Sequence, residues 1–164
     1  MPAVLTARRA DGFELSDDPE RLDVDLIHHW LSTDSYWAAG RTLETVRTAI
    51  AGSTAVGVYG PTGRQVAFAR VVTDGAVFAY LCDVYVARDC RGVGLGRWMV
   101  HRLRDDLAAR GLTRFLLTTR DAQGVYGPLG FAAVDPGRWM ECNLATVTVS
   151  SDTGKDRAPR PTLP

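Results

Sequence analysis

A chain of 164 residues with 19 basic and 19 acidic side chains has no formal net charge. It is long enough for one domain with a full core, and nothing global draws it to nucleic acid or an anionic membrane. Any anion site must be local.

In chain order, residues 12–17 suit a short strand. Asp18-Pro19-Glu20 opens a helix with proline at its first position, and Asp23 offers a second cap. Leu22, Leu26, Ile27, Trp30 and Leu31 then mark one apolar helical face. Residues 32–40 form a loop, and Thr42 caps a second helix closed by Gly52. The period changes next: 53–60, 64–73 and 76–86 are strands, joined at Pro61-Thr62-Gly63 and at the hairpin signal Asp74-Gly75. An amphipathic helix over 95–110 ends at Gly111. Residues 113–119 are a buried strand and 121–127 a brief helix or turn, and 130–134 and 138–146 are expected as two closing strands. From Val147 to Pro164 the Ser, Thr, Gly and Pro content predicts a disordered tail. The pattern is α+β: one domain over 1–146 with a central mixed, mostly antiparallel sheet, one parallel βαβ crossover and flanking helices.

The cysteines Cys82, Cys90 and Cys142 are odd in number and widely spaced. With no CxxC and no adjacent Cys/His set, neither a disulfide framework nor a metal site is expected, and a reducing compartment is. No run approaches ~18 apolar residues and the first residues have no long apolar core, so the expectation is a cytoplasmic protein without a membrane span. Cys82 and Cys142 sit in apolar contexts and are expected in the core. Cys90, beside Arg88 and Arg91, is a candidate reactive thiol, and His28-His29 belong to the polar edge of the first helix.

The segment Arg91-Gly92-Val93-Gly94-Leu95-Gly96 lies between a strand and a helix. The first turn of a helix presents backbone N–H groups without intrahelical partners, near the positive end of its dipole. Small residues let an anion reach them, so the segment is a candidate phosphate or pyrophosphate cradle. A P-loop is excluded because Gly96 is followed by Arg97-Trp98. The spacing also departs from the dinucleotide fingerprint.

Arg91-x-x-Gly94-x-Gly96 resembles the R/Q-x-x-G-x-G/A signature of the GNAT superfamily of N-acetyltransferases. Tyr126, Gly130 and Phe131 are similar to its closing Y-x-x-x-G-F element. The resemblance spans roughly residues 12–145. It implies acetyl-CoA as co-substrate, with pyrophosphate on the amides of Arg91, Gly92, Val93, Gly94, Leu95 and Gly96. The pantetheine arm would follow Val84, Tyr85 and Val86. Where family members often carry Asn on the next strand this chain has Thr119, and either Thr119 or Asp121 is left to replace it. The resemblance also makes Tyr126 the acid that protonates the departing thiolate, a sensible match for a phenol near pKa ~10 and a thiol near ~8.5.

The glutamate that many members place on the central strand aligns with Tyr80. Asp83 is the nearest carboxylate, on the opposite face of an ideal strand unless a bulge intervenes. A base acting through water, a ligand for the acceptor amine and a polar strand end all stay open for it. The acceptor side falls to the loop "SYWAAGR", where Tyr36 and Trp37 would frame a small amine or aryl group and Arg41 would hold a carboxylate or cofactor phosphate. The expected function is acetyl transfer from acetyl-CoA to a primary amine, small-molecule or protein, by direct attack in a ternary complex. A catalytically weak CoA-binding sensor or interaction module is the alternative. No nucleic acid or membrane partner is expected, and a homodimer stays open.

Overall fold

The structure is a computed structural model, and it describes residues 5–148. Most of the predicted tail, 149–164, lies outside the described residues. Those described fall into two units that divide between Ala132 and Ala133.

The first unit is a six-stranded sheet in which spatial order follows chain order. Its strands are β1 (Thr6–Arg8), β2 (Glu14–Ser16), β3 (Thr54–Tyr59), β4 (Gln65–Thr73), β5 (Phe78–Val86) and β6 (Arg114–Leu117). All neighbours pair antiparallel except β5 and β6, which are parallel. The sheet is therefore the mixed, mostly antiparallel one expected, with one strand more at the N-terminal edge. Three-residue β1 is too short for a periodic signal, and pairing with β2 defines it.

Four helices accompany the sheet: α1 (Val24–Asp34), α2 (Leu43–Ala51), α3 (Leu95–Ala109) and the single turn α4 (Gln123–Tyr126). Both acidic caps operate. Asp18 accepts from Glu20 N ahead of a 3₁₀ turn, and Asp23 accepts from Leu26 N to open α1. Thr42 caps α2 through Thr45 N. Each cap satisfies a donor that the first helical turn leaves without a partner. Trp30 of α1 stacks on Tyr85 of β5 with centroids 5.1 Å apart, while Gly96 of α3 lies against Val86. Tyr85 and Val86 are adjacent and so point to opposite faces, which puts α1 on one face of the sheet and α3 on the other. Fully buried Phe68, Val56, Val58, Leu31, Met99 and Leu103 belong to the core between these layers.

Three expectations need correction. The β4–β5 connection is four residues, not a two-residue hairpin, because Asp74 Oδ1 accepts from the N–H groups of Ala76, Val77 and Phe78 and folds the loop around itself. No strand forms over 130–134. Gly130, at φ 90°, and Phe131 instead close the turn after α4, with Phe131 N donating to Tyr126 O. No strand forms over 138–146 either. In the second unit Asp135 nucleates a turn through Arg138 N and Gly137 N, and Asn143 caps a 3₁₀ turn over Leu144–Thr146. Short apolar runs become strands only where a neighbour accepts their backbone bonds. No helix among the described residues is long and apolar enough to cross a membrane.

Candidate active site

Parallel pairing of β5 with β6 stops at Leu81–Leu117, yet β5 runs on to Val86. The two strands part there, and no β6 residue pairs with Cys82, Asp83, Val84, Tyr85 or Val86. A cleft of about 470 Å³ opens in the fork. Its walls include Tyr36, Trp37 and Arg41 from the loop between α1 and α2, Asp83 and Val84 from β5, and Thr119 and Tyr126 beyond β6. The cleft thus gathers seven of the residues expected to form the site.

A bulge aims Asp83 into this cleft. Phe68 pairs with Tyr85 and Arg70 with Cys82, so Asp83 and Val84 together oppose Ala69. Arg70 and Cys82, as direct partners, share one face of the sheet, and a regular strand would send Asp83 to the other. Instead Asp83 adopts φ 51°, alone among non-glycine residues described. Its side chain returns to Arg70, whose Nε donates to Oδ2 at 2.6 Å. Arg41 Nη1 donates to the same oxygen at 2.8 Å. Arg70 is further fixed by donating to Ser53 Oγ at 3.1 Å. A left-handed Asp costs on the order of 1–3 kcal/mol, and the ion cluster offsets it.

Tyr126 occupies the last position of α4. Its ring meets Phe131 edge-on at 5.9 Å, and Phe131 also packs on Phe115 at 5.2 Å. Its hydroxyl makes no hydrogen bond among the described residues, and Tyr126 both lines the cleft and packs against the core. Burial, with a smaller contribution from Tyr36, pushes its phenol above the ordinary value. Thr119 Oγ1 accepts from Ala122 N at 3.0 Å and so holds the start of α4. Opposite, Tyr36 and Trp37 meet edge-on at 5.0 Å, and the Arg120 guanidinium covers the Tyr36 ring at 3.9 Å.

The glycine segment lies outside the cleft lining, at the α3 N-terminus. Gly94 is the N-cap with φ 79°, and no side chain caps the helix. Gly92 also has positive φ, and a Cβ at Gly92 or Gly94 would meet nothing within 4 Å. The cradle is therefore open, with the first-turn amides of Leu95, Gly96 and Arg97 facing no side-chain cap. Arg91 folds back, donating from Nε to Val86 O at 2.9 Å and standing over Tyr85 at 5.3 Å. Arg9 braces the segment by donating to Val93 O at 3.0 Å.

The sequence model of the acetyltransferase (GNAT) family matches residues 24–131. The chain belongs to the GNAT family. A solved GNAT-family structure from Xanthomonas campestris pv. campestris superposes with a TM-score of 0.76 at 39% identity, covering 84% of this chain and 96% of that one. A Gibberella zeae protein whose name marks it as an inferred acetyltransferase is 35% identical over 132 residues, 69% of this chain and 75% of its own. Serotonin N-acetyltransferase 2 of Oryza sativa subsp. japonica is 44% identical over 75 residues, covering 45% of this chain and only 37% of the rice enzyme. GNAT proteins take their acetyl group from acetyl-CoA.

Placed in a GNAT frame, four side chains depart from expectation. Tyr85 does not enter the cleft. Its ring lies under Trp30 and its hydroxyl donates to Asp34, so only its backbone faces the fork. Cys82 lines the cleft instead of filling the core, and Cys142 is exposed. Cys90 is not activated: burial and Asp89 push its thiol up, and Arg88 turns away to Asp34. Sequence reasoning missed Arg70, Tyr80 and Arg120 as cleft walls. Arg70 had a signal, a lone cation inside the apolar strand "QVAFARVVT". Tyr80 was considered only as the position of an absent glutamate, and its hydroxyl donates to Thr118 Oγ1 at 3.0 Å. Among the described residues no cluster of His, Cys, Asp and Glu has metal-binding geometry.

Proposed function

We propose that the chain transfers an acetyl group from acetyl-CoA to a primary amine by direct attack, with Tyr126 as the proton donor. The observation that carries this reading is the fork itself: an unpaired β5 edge that shares one cleft with a phenol bearing no internal hydrogen bond. The first-turn amides of α3 and the open space over Gly92 and Gly94 suit the pyrophosphate. The β5 backbone from Cys82 to Tyr85, left unpaired on the β6 side, suits the amide groups of the pantetheine arm, bound as an added strand would be.

Bound acetyl-CoA supplies an activated thioester. The neutral amine nitrogen attacks its carbonyl carbon, the C–S bond breaks, and the sulfur leaves with the Tyr126 hydroxyl proton. The proton lost by the nitrogen balances the one given by the phenol, directly or through solvent, so amide and free thiol are the products. An ordinary phenol is protonated at neutral pH, the state a donor requires, and burial shifts Tyr126 further in that direction. Asp83 serves as a positioning residue: with Oδ2 already taken by two guanidiniums, it fixes Arg41 and Arg70 in the cleft wall.

Isothermal titration with acetyl-CoA tests the first half. Gly94→Asn tolerates positive φ and should bind. Gly94→Asp places a carboxylate against the pyrophosphate and should lose binding. Equal binding by both variants refutes the cradle. Amine-dependent thiol release tests the second half, and binding without release over a broad amine panel would favour the sensor reading.

A further inference from the structure

The cleft contains more positive charge than its carboxylates offset. Arg41, Arg70 and Arg120 face it, against Asp83 and Asp121. Arg41 and Arg70 share one oxygen of one carboxylate, so that ion cluster keeps an excess of one positive charge. Arg41 uses only Nη1 in it, and its Nε and Nη2 make no bond among the described residues. Arg120 has no carboxylate partner among them and is held by the Tyr36 ring alone. Asp121 lines the cleft beside it without bonding it. Tyr36 and Trp37 are both exposed, 49% and 42%, although they sit edge-on in a cavity wall. Half-exposed aromatics next to an unpaired guanidinium make a surface with one apolar component and one anionic component missing.

We infer that the acceptor is an amine that carries its own carboxylate, of the α-amino acid type, with that carboxylate between Arg120 and the free edge of Arg41 and its side chain against Tyr36 and Trp37. The inference rests on the acyl-transfer reading above and narrows its acceptor. A guanidinium pair suits a carboxylate because its planar N–H groups match the two oxygens. The same cations disfavour a diamine, whose second ammonium would enter a site of like charge. They also favour the neutral form of the attacking nitrogen. The acceptor carboxylate offsets the excess charge, so the complex that forms is close to neutral.

Matched pairs of acceptors test this: L-tryptophan with tryptamine, and L-phenylalanine with phenethylamine, assayed on the full chain by thiol release at saturating acetyl-CoA. The carboxylate member of each pair should be favoured in kcat/KM by about tenfold, the worth of a charge-assisted hydrogen bond. In Arg120→Gln that ratio should fall toward one, chiefly through a raised KM for the amino acid, and Arg120→Lys should restore part of it. A preference for the decarboxylated members, or a ratio unmoved by Arg120→Gln, overturns the inference while acyl transfer stands. Acetyl-CoA binding without turnover of either pair also overturns it and leaves the cofactor half of the proposed function intact. Absence of acetyl-CoA binding removes both.

Discussion

Arg70 and Asp83 lie on neighbouring strands and meet only because β5 bulges between Cys82 and Tyr85. The Asp83 side chain is 4% exposed and that of Arg70 14%, so water does little to replace either partner. Asp83→Asn keeps a side chain that tolerates positive φ but removes the charge from two guanidiniums. It should cost about 3 kcal/mol in urea unfolding, within the range for breaking a buried pair. Asp83→Ala should cost more, because alanine also pays for the left-handed backbone. A loss under 1 kcal/mol for both would show the cluster to be well hydrated.

Tyr126→Phe should fold as the parent does, since the ring contacts with Phe131 remain. Loss of the proton donor should lower kcat by about 10²-fold, the lower end for general acid catalysis. The phenol is raised by burial. Activity limited by its deprotonation should therefore persist past pH ~10, the ordinary tyrosine value, before it declines. A pH–kcat profile that falls below that point in the parent, or an unchanged kcat in Tyr126→Phe, assigns the proton to another group.

Asp34, at the end of α1, accepts from Arg88, Tyr85 and Arg91. The Arg88 guanidinium first, and then the Tyr85 hydroxyl, hold its carboxyl well below the usual range. A depressed folded value means that its stabilisation is complete above the unfolded pKa of ~3.9 and disappears as pH falls through the folded one. Asp34→Asn should lower Tm at pH 6, and the gap to the parent should close progressively below pH ~4. A gap that is constant from neutral to strongly acidic pH would mean that packing, not charge, is lost.

Tyr59 Oη is buried with no hydrogen-bond partner among the described residues, and Arg21 stands over the ring at 4.1 Å. Burial pushes this phenol up to about 12. Phe at 59 keeps the ring beneath Arg21 and deletes the orphaned hydroxyl, so Tyr59→Phe should leave stability unchanged or raise it by about 1 kcal/mol. The raised folded value makes the parent lose stability as pH climbs from ~10 toward 12, and the variant should not share that loss. Guanidinium melts at neutral and alkaline pH measure both. A drop of more than 1 kcal/mol at neutral pH would show that the hydroxyl has a partner in water.

Elements governed by local chemistry were legible in the sequence. Asp18, Asp23 and Thr42 cap where they were expected to, and β3, β4, β5 and α3 fall within two residues of their predicted limits. Gly94 was marked by its pattern, and its positive φ explains why glycine is favoured there. What escaped depends on partners distant in the chain. The bulge at Asp83 has no local signature, since the two guanidiniums that share its Oδ2, Arg41 and Arg70, are distant in the chain. Closing strands over 130–134 and 138–146 were expected from composition, and composition cannot say that no neighbour accepts their backbone bonds. Arg120 looked like any loop cation until Tyr36 was placed under it.

Sheet order that follows chain order has a kinetic consequence. The β1–β2 and β3–β4–β5 pairings join segments separated by only a few residues, so their loops close cheaply and early. The β5–β6 pair must wait for α3 to form and cross the sheet, and four residues then dock in parallel. The fork between these strands, like the β2–β3 pairing across α1 and α2, is thus defined by a late assembly step on the topology. A chain with the antiparallel part zipped and β6 undocked would contain much of the core and none of the cleft.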